Sequence, residues 1–219
     1  MNPPELTWVA GGSGLVGREL LAQLNDQPVL ALVRRPLGAV AASPLRREAI
    51  ANLQQLPADL PAPRRVFIAL GTTMAQAGSR EAFRAVDFDT VVAVARAARE
   101  GGATHCGLVS ALGADARSGV FYNRVKGEAE AALIALGFDR LVIARPSLLD
   151  GHREALDQPR RTAEAWTLRF TRPLAPLIPM AWRPIAADRV ARALRFALDQ
   201  PGPAVQVLES GAMQALGAP

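Results

Sequence analysis

Cysteine, tyrosine and lysine each occur once in this 219-residue chain, as Cys106, Tyr122 and Lys126. A lone cysteine excludes an internal disulfide and a thiolate metal cluster. The two histidines, His105 and His152, have no partners at metal-ligand spacing, so no metal is expected. His105 precedes an apolar run and is expected to cap or pack. Aromatic residues make up only 5% of the chain, and its paired arginines (34–35, 46–47, 64–65, 160–161) are dispersed. A nucleic-acid surface needs clustered cations with stacking aromatics, so that class of partner is excluded. The net charge of +5 reflects arginine used in place of lysine. No apolar run is long enough to span a bilayer, so no membrane partner is expected. The start, "MNPPELTWVAGGSG", lacks the basic and apolar regions of a secretory leader. The expected location is therefore the cytoplasm.

What is present is a globular composition, with half the residues apolar and 21% charged. Apolar runs alternate with helical patterns along the chain. Strands are expected at 6–11, 28–35, 65–71, 105–111, 140–146 and 204–209. Helices are expected at 15–25, 79–102, 122–137 and 188–202. The stretch 36–63 is weakly patterned, with a short strand in "REAIANL". Near-continuous apolar strands separated by helices predict an α/β fold, a doubly wound parallel sheet (Rossmann) with helices on both faces. We expect a single domain over 1–219, with a cofactor-binding core at 1–145 and a substrate-side segment with the last helix and strand at 146–219.

"VAGGSGLVG" lies where the first strand hands over to the first helix. Gly12, Gly14 and Gly17 make G-x-G-x-x-G, and Gly11, Gly14 and Gly17 make G-x-x-G-x-x-G. Either form lets the backbone turn tightly and approach a pyrophosphate at the helix N-terminus. Gly11, Gly12, Ser13, Gly14, Leu15, Val16 and Gly17 are thus the candidate dinucleotide loop. An acid at the end of the second strand would hold a free ribose. Arg34 and Arg35 stand there instead, and paired guanidiniums suit a 2′-phosphate, so NADP(H) is the expected cofactor. Leu70, Gly71 and Thr72, after the strand at 65–71, should lie beside it.

The strand at 105–111 delivers Ser110 to the same sheet edge. Tyr122 follows on the next helix, with Lys126 one turn further along the same face. An ammonium near a phenol favours its ionised form, which suits proton transfer. Every other strong cation in the chain is arginine, which argues that Lys126 has a task.

With the glycine loop, the Ser and Tyr-x-x-x-Lys group resembles the short-chain dehydrogenase/reductase superfamily, and its nucleoside-diphosphate-sugar epimerase-like branches in particular. "GGSGLVGREL", "LVRRP", "ALGTTMAQAGSREAFRAVD" and "VFYNRVKGEAE" are similar to the small Tat-interacting-oxidoreductase-like branch. The resemblance implies that Tyr122 is the general acid or base, that Lys126 also binds the nicotinamide ribose, and that Ser110 orients the carbonyl. It also implies that Pro146 and Ser147 border the nicotinamide. An asparagine that many members carry in the central helix has no counterpart in 79–102, and Asn123 points about 100° away from Tyr122.

The expected activity is an NADP(H)-dependent oxidoreductase moving hydride between the nicotinamide and a small carbonyl or alcohol. Two alternatives stand beside it: an NADP(H)-binding redox-sensing or assembly protein with little turnover, and a sugar-nucleotide epimerase or dehydratase. The short stretch after Arg145 argues against the last. Arginines and tryptophans in 146–184 would suit an acidic or aromatic substrate, or they are solvated residues over a packed cluster. Monomer and homodimer both remain open.

Overall fold

The computed structural model describes residues 5–38, 43–150 and 182–217. Seven strands form one parallel sheet: β1 (Thr7–Ala10), β2 (Val29–Val33), β3 (Arg46–Ile50), β4 (Arg65–Ile68), β5 (His105–Val109), β6 (Arg140–Arg145) and the last strand, Val205–Glu209. Their order is β3, β2, β1, β4, β5, β6 and the last strand. The order reverses direction between β1 and β4, and open α/β sheets bind ligands at such a switch point. Two short strands, β7 (Leu149–Asp150) and β8 (Ile185–Ala186), pair separately. The last strand of the large sheet is thus β9.

The strands are apolar on successive residues because helices cover both faces. On one face Val9, Val29, Phe67 and Val142 pack with Leu20 of α1 (Leu15–Gln23) and Leu194 of a late helix, Ala187–Asp199. On the other, Trp8, Leu30, Val66 and Leu108 pack with Val94 and Leu133 of two central helices. The doubly wound expectation holds.

The helix expected over 79–102 is not uniform. A short α2 (Met74–Ala77) precedes α3 (Arg80–Arg84), which runs into a π-helical turn, Ala85–Thr90, and then α4 (Val91–Glu100). Thr90 Oγ1 donates to the Ala85 carbonyl at 2.7 Å, holding the widened turn from inside. The hydroxyl takes up backbone hydrogen-bonding capacity that the wider spacing would otherwise strand. A further helix, α5 (Phe121–Ala135), carries the Tyr-Lys segment. The late helix Ala187–Asp199 is α6, and a last helix, Ser210–Leu216, is α7. Neither α2 nor α7 is visible in the sequence pattern. β3 is an edge strand with mostly exposed or half-buried residues, which explains its weak apolar signal.

Candidate functional site

Two adjoining cavities open at the carboxyl edge of the sheet. One, about 760 Å³, is lined by the glycine loop, Arg34 and Arg35. The other, about 610 Å³, is lined by Ser110, Tyr122, Lys126, Pro146 and Ser147. Gly14, Leu70, Gly71 and Thr72 line both, so the two form one continuous cleft. Every site residue expected from the sequence therefore lies along this cleft or in the loop that floors it. Arg153, Arg160, Arg161, Arg169 and Arg172, with Trp166 and Phe170, lie outside the described residues.

The loop is shaped by its glycines. Gly11 has φ +92°, a left-handed conformation open to glycine. A Cβ on Gly17 would stand 2.0 Å from the Gly11 carbonyl oxygen, so α1 can approach the loop only without one. The Gly14 N–H donates to that same carbonyl at 2.9 Å. Gly14 caps α1, whose first turn holds no acidic side chain. Arg34 and Arg35 are exposed at the rim.

On α5, Tyr122 packs its ring against Phe83 at 5.3 Å between centroids. Lys126 is buried, and its Nζ lies 2.7 Å from Asp87 Oδ1, which has no other polar partner among the described residues. Asp87 is wholly buried in the π-helical turn, and its Oδ2 accepts the Thr72 N–H at 2.9 Å. One carboxylate thus ties α5, the central helix and the loop after β4 together. Gly71 lies against this pair: a Cβ there would meet Asp87 Oδ1 at 3.4 Å and Lys126 Nζ at 3.5 Å. Burial alone would pull the Lys126 ammonium down. The charge and hydrogen bond of Asp87, aided by Tyr122 and Glu130, outweigh it and hold the pKa above the ordinary lysine value.

Asp87 is the site residue that sequence reasoning missed. It lies in the π-helical turn of the central helix, and its only signal is an acid inside the apolar pattern "FRAVDFDTVVAV". Asn123 stands elsewhere, its amide beside Gly113.

Glu130 was missed as well. It is buried, and its carboxylate faces the Arg145 guanidinium, with Arg145 Nε 3.0 Å from Oε1 and a terminal nitrogen on Oε2. Ser110 Oγ lies 2.5 Å from the same Oε1. Ser147 Oγ donates to the Arg183 carbonyl and lies 2.9 Å from Ser210 Oγ.

No family model matches the chain. Curated relatives do. The chain is 43% identical over 153 residues to "Protein FMP52, mitochondrial" of Eremothecium gossypii, covering 67% of each chain. It is 39% identical over 171 residues to the Aspergillus fumigatus protein of that name, covering 73% of this chain and 71% of that one. Among solved structures, it resembles MoeE5 in complex with UDP-glucuronic acid and NAD (TM-score 0.70, 18% identity, 94% of this chain and 76% of that one). It also resembles a UDP-N-acetylglucosamine 4-epimerase from Methanobrevibacter ruminantium M1 (TM-score 0.71, 15% identity, 95% and 77%). A short-chain dehydrogenase/reductase superfamily protein from Agrobacterium tumefaciens with bound NAD is similar at TM-score 0.70 and 16% identity, covering 94% and 77%. At such identities the likeness is one of fold.

The relatives' names overturn the cytoplasmic location expected from the sequence, since they describe mitochondrial proteins. That expectation rested on the missing secretory leader, which reports on export and is silent about organelles. With a Rossmann-like fold shared with short-chain dehydrogenases and epimerases, and with these relatives aligned over two thirds of their length, the chain belongs to the FMP52 family.

Proposed function

We propose that this protein is an NADP(H)-dependent oxidoreductase of the short-chain type, acting on a small carbonyl or alcohol substrate through Tyr122, Lys126 and Ser110. The observation that carries the reading is the cleft. Its first half has a glycine loop and helix N-terminus, and its second half holds the chain's only tyrosine and only lysine. The likeness to the small Tat-interacting-oxidoreductase-like branch supports the same reading. So do the nucleotide ligands named for the fold neighbours, NAD among them. Residues 1–219 would act as one unit, with 1–145 holding the cofactor and 146–219 contributing the substrate side.

The residues present fit a dinucleotide. The Gly14 position leaves room toward the cleft, with only two backbone oxygens within 4 Å of a Cβ placed there. The α1 N-terminus, whose N-cap Gly14 has no side chain to bond it, offers N–H groups and a positive dipole end to a pyrophosphate. Gly11 to Gly17 would hold the pyrophosphate, Arg34 and Arg35 a 2′-phosphate, Leu70 to Thr72 the middle of the molecule, and Lys126, Pro146 and Ser147 the nicotinamide end. When bound, the cofactor supplies or accepts the hydride.

Tyr122 donates its proton to the carbonyl oxygen as the carbonyl carbon is reduced, and takes it back in the reverse direction. Lys126 stays an ammonium beside it because Asp87 balances its charge. Phe83 fixes the plane of the phenol.

Replacing Tyr122 by phenylalanine is expected to cut reduction by roughly 10², the scale of a lost general acid, and to leave NADPH affinity within a few-fold. A panel of aldehydes and ketones followed by loss of NADPH absorbance measures the first, and fluorescence titration the second. If no substrate in the panel gives Tyr122-dependent turnover, the oxidoreductase reading falls. NADPH is also expected to bind at least about tenfold more tightly than NADH, a difference of about 1.4 kcal/mol. Both arginines are exposed and line the same cavity as the glycine loop, where a 2′-phosphate would reach them. Equal affinities would remove that role.

A further inference from the structure

The hydroxyl of Ser110 is already committed. Its Oγ lies 2.5 Å from Glu130 Oε1, and Glu130 is buried against Arg145. A carboxylate gripped by a guanidinium only accepts hydrogen bonds, so the hydrogen between these oxygens belongs to serine. The arrangement is firmly held. Arg145 Nε donates to the same Oε1 at 3.0 Å, and the guanidinium also reaches Glu209 Oε1 at 3.2 Å. The Ser110 N–H is fixed to the Ala144 carbonyl at 2.8 Å, which pins the residue to the end of the sheet.

A substrate ketone competing for the Ser110 hydrogen would offer a neutral acceptor. Hydrogen bonds to an ionised group are roughly twice as strong as neutral ones, so the carboxylate keeps the hydrogen. Ser110 lines the second cavity, so what its oxygen can still offer there is a lone pair. It cannot donate to a carbonyl, which differs from the role its superfamily resemblance implies. Carbonyl activation falls to Tyr122, and Ser110 is left to receive a hydrogen from the ligand.

We propose that the substrates of this site are carbonyl compounds that also carry a hydroxyl group, whose hydrogen Ser110 accepts while Tyr122 serves the carbonyl oxygen. Glu130 is then a positioning residue that sets this preference by holding the Ser110 hydrogen away from the cleft. The proposal rests on the oxidoreductase reading for the identity of the reacting group. The lone pair itself follows from the Glu130–Arg145 pair.

The matched probes are α-hydroxyacetophenone and acetophenone, which differ by one hydroxyl. With the NADP⁺-loaded protein, ligand-detected NMR should give about fivefold tighter binding of the hydroxyketone, the scale of one neutral hydrogen bond. Ser110→Ala should bring the two within about twofold. Ser110→Cys, which keeps a side chain of similar shape but a weak acceptor, should do the same. Where turnover is measured, the preference should appear in KM with kcat little changed between the probes. Equal binding in the wild type, binding of neither probe, or a preference that survives either substitution overturns the proposal. Selective binding without Tyr122-dependent turnover leaves the lone-pair assignment standing and removes only the oxidoreductase reading.

Discussion

Asp87→Ala is expected to destabilise the protein by about 3–5 kcal/mol, the scale of breaking a buried ion pair by removing one partner. The substitution leaves the Lys126 ammonium buried without its counter-charge. It also strips the Thr72 N–H of its acceptor. A domain of ordinary stability has 5–15 kcal/mol in total, so the loss is a large share of it. Urea unfolding at neutral pH measures it. Asp87→Asn keeps the shape and an acceptor for Thr72 but not the charge, and should fall between wild type and alanine. A loss below about 1 kcal/mol for Asp87→Ala would mean that water or a neighbouring group solvates Lys126.

The same pair sets a pH dependence whose sign can be worked out. The Lys126 pKa is raised in the folded protein, because the Asp87 carboxylate outweighs burial. In the unfolded chain it has the ordinary lysine value near 10.4. The stabilisation from the pair is therefore fully present below about pH 10.4, and is lost as pH rises through the higher folded value. In Asp87→Ala burial remains and the carboxylate is gone, so the folded pKa should drop below the unfolded one. The slope then reverses, and the variant gains stability as pH rises toward 10. Unfolding free energies measured from pH 7 to 11 on both proteins test this. Parallel curves would show that Asp87 does not control the Lys126 charge. With one lysine in the chain, its Nζ resonance can be followed by NMR without overlap from another side chain.

What was legible in the sequence was local. The glycine loop is a contiguous string between a strand and a helix, and the Tyr-Lys pair is a one-turn spacing on one helix, so neither needs knowledge of distant residues. The apolar strands give the doubly wound sheet because burial on both faces leaves a continuous signal. Asp87 was not legible, for two physical reasons. Its partners, Lys126 and the Thr72 N–H, come from other elements. Its orientation also depends on the π-helical turn held by Thr90, and hydrophobic periodicity cannot detect a single widened turn. Glu130 reads in "KGEAEAAL" as a solvated helix charge. Only the packing of α5 on β6 brings Arg145 to it and turns it into the group that holds Ser110. The candidate site was thus readable as a list of candidate residues, while the charges packed against them arise from tertiary packing.

The loop's glycines should separate in the same way when tested. Gly17→Ala is expected to destabilise the protein by about 3 kcal/mol, at the upper end for overpacking. The new Cβ would lie 2.0 Å from the Gly11 carbonyl oxygen and 2.6 Å from its carbon. Both atoms are backbone, so no side-chain rotation relieves the overlap. Either α1 moves off the sheet or the loop opens, and α1 packs closely on both β1 and α6. Gly14→Ala should behave differently. Its Cβ meets nothing nearer than the Gly11 carbonyl oxygen at 3.4 Å, which is ordinary contact. Stability should change by less than about 1 kcal/mol, the usual effect of placing alanine at a helix N-cap. Yet Gly14 lines both halves of the cleft, and a methyl there occupies the path by which a pyrophosphate would reach the α1 N–H groups. NADPH affinity should therefore fall at least about tenfold with the fold intact. Thermal unfolding of the free proteins and NADPH titration of the folded variant distinguish the two effects. A Gly14→Ala protein that folds and binds NADPH like wild type would show that the dinucleotide does not pass over this residue, and the assignment of the loop as its cradle would have to be abandoned.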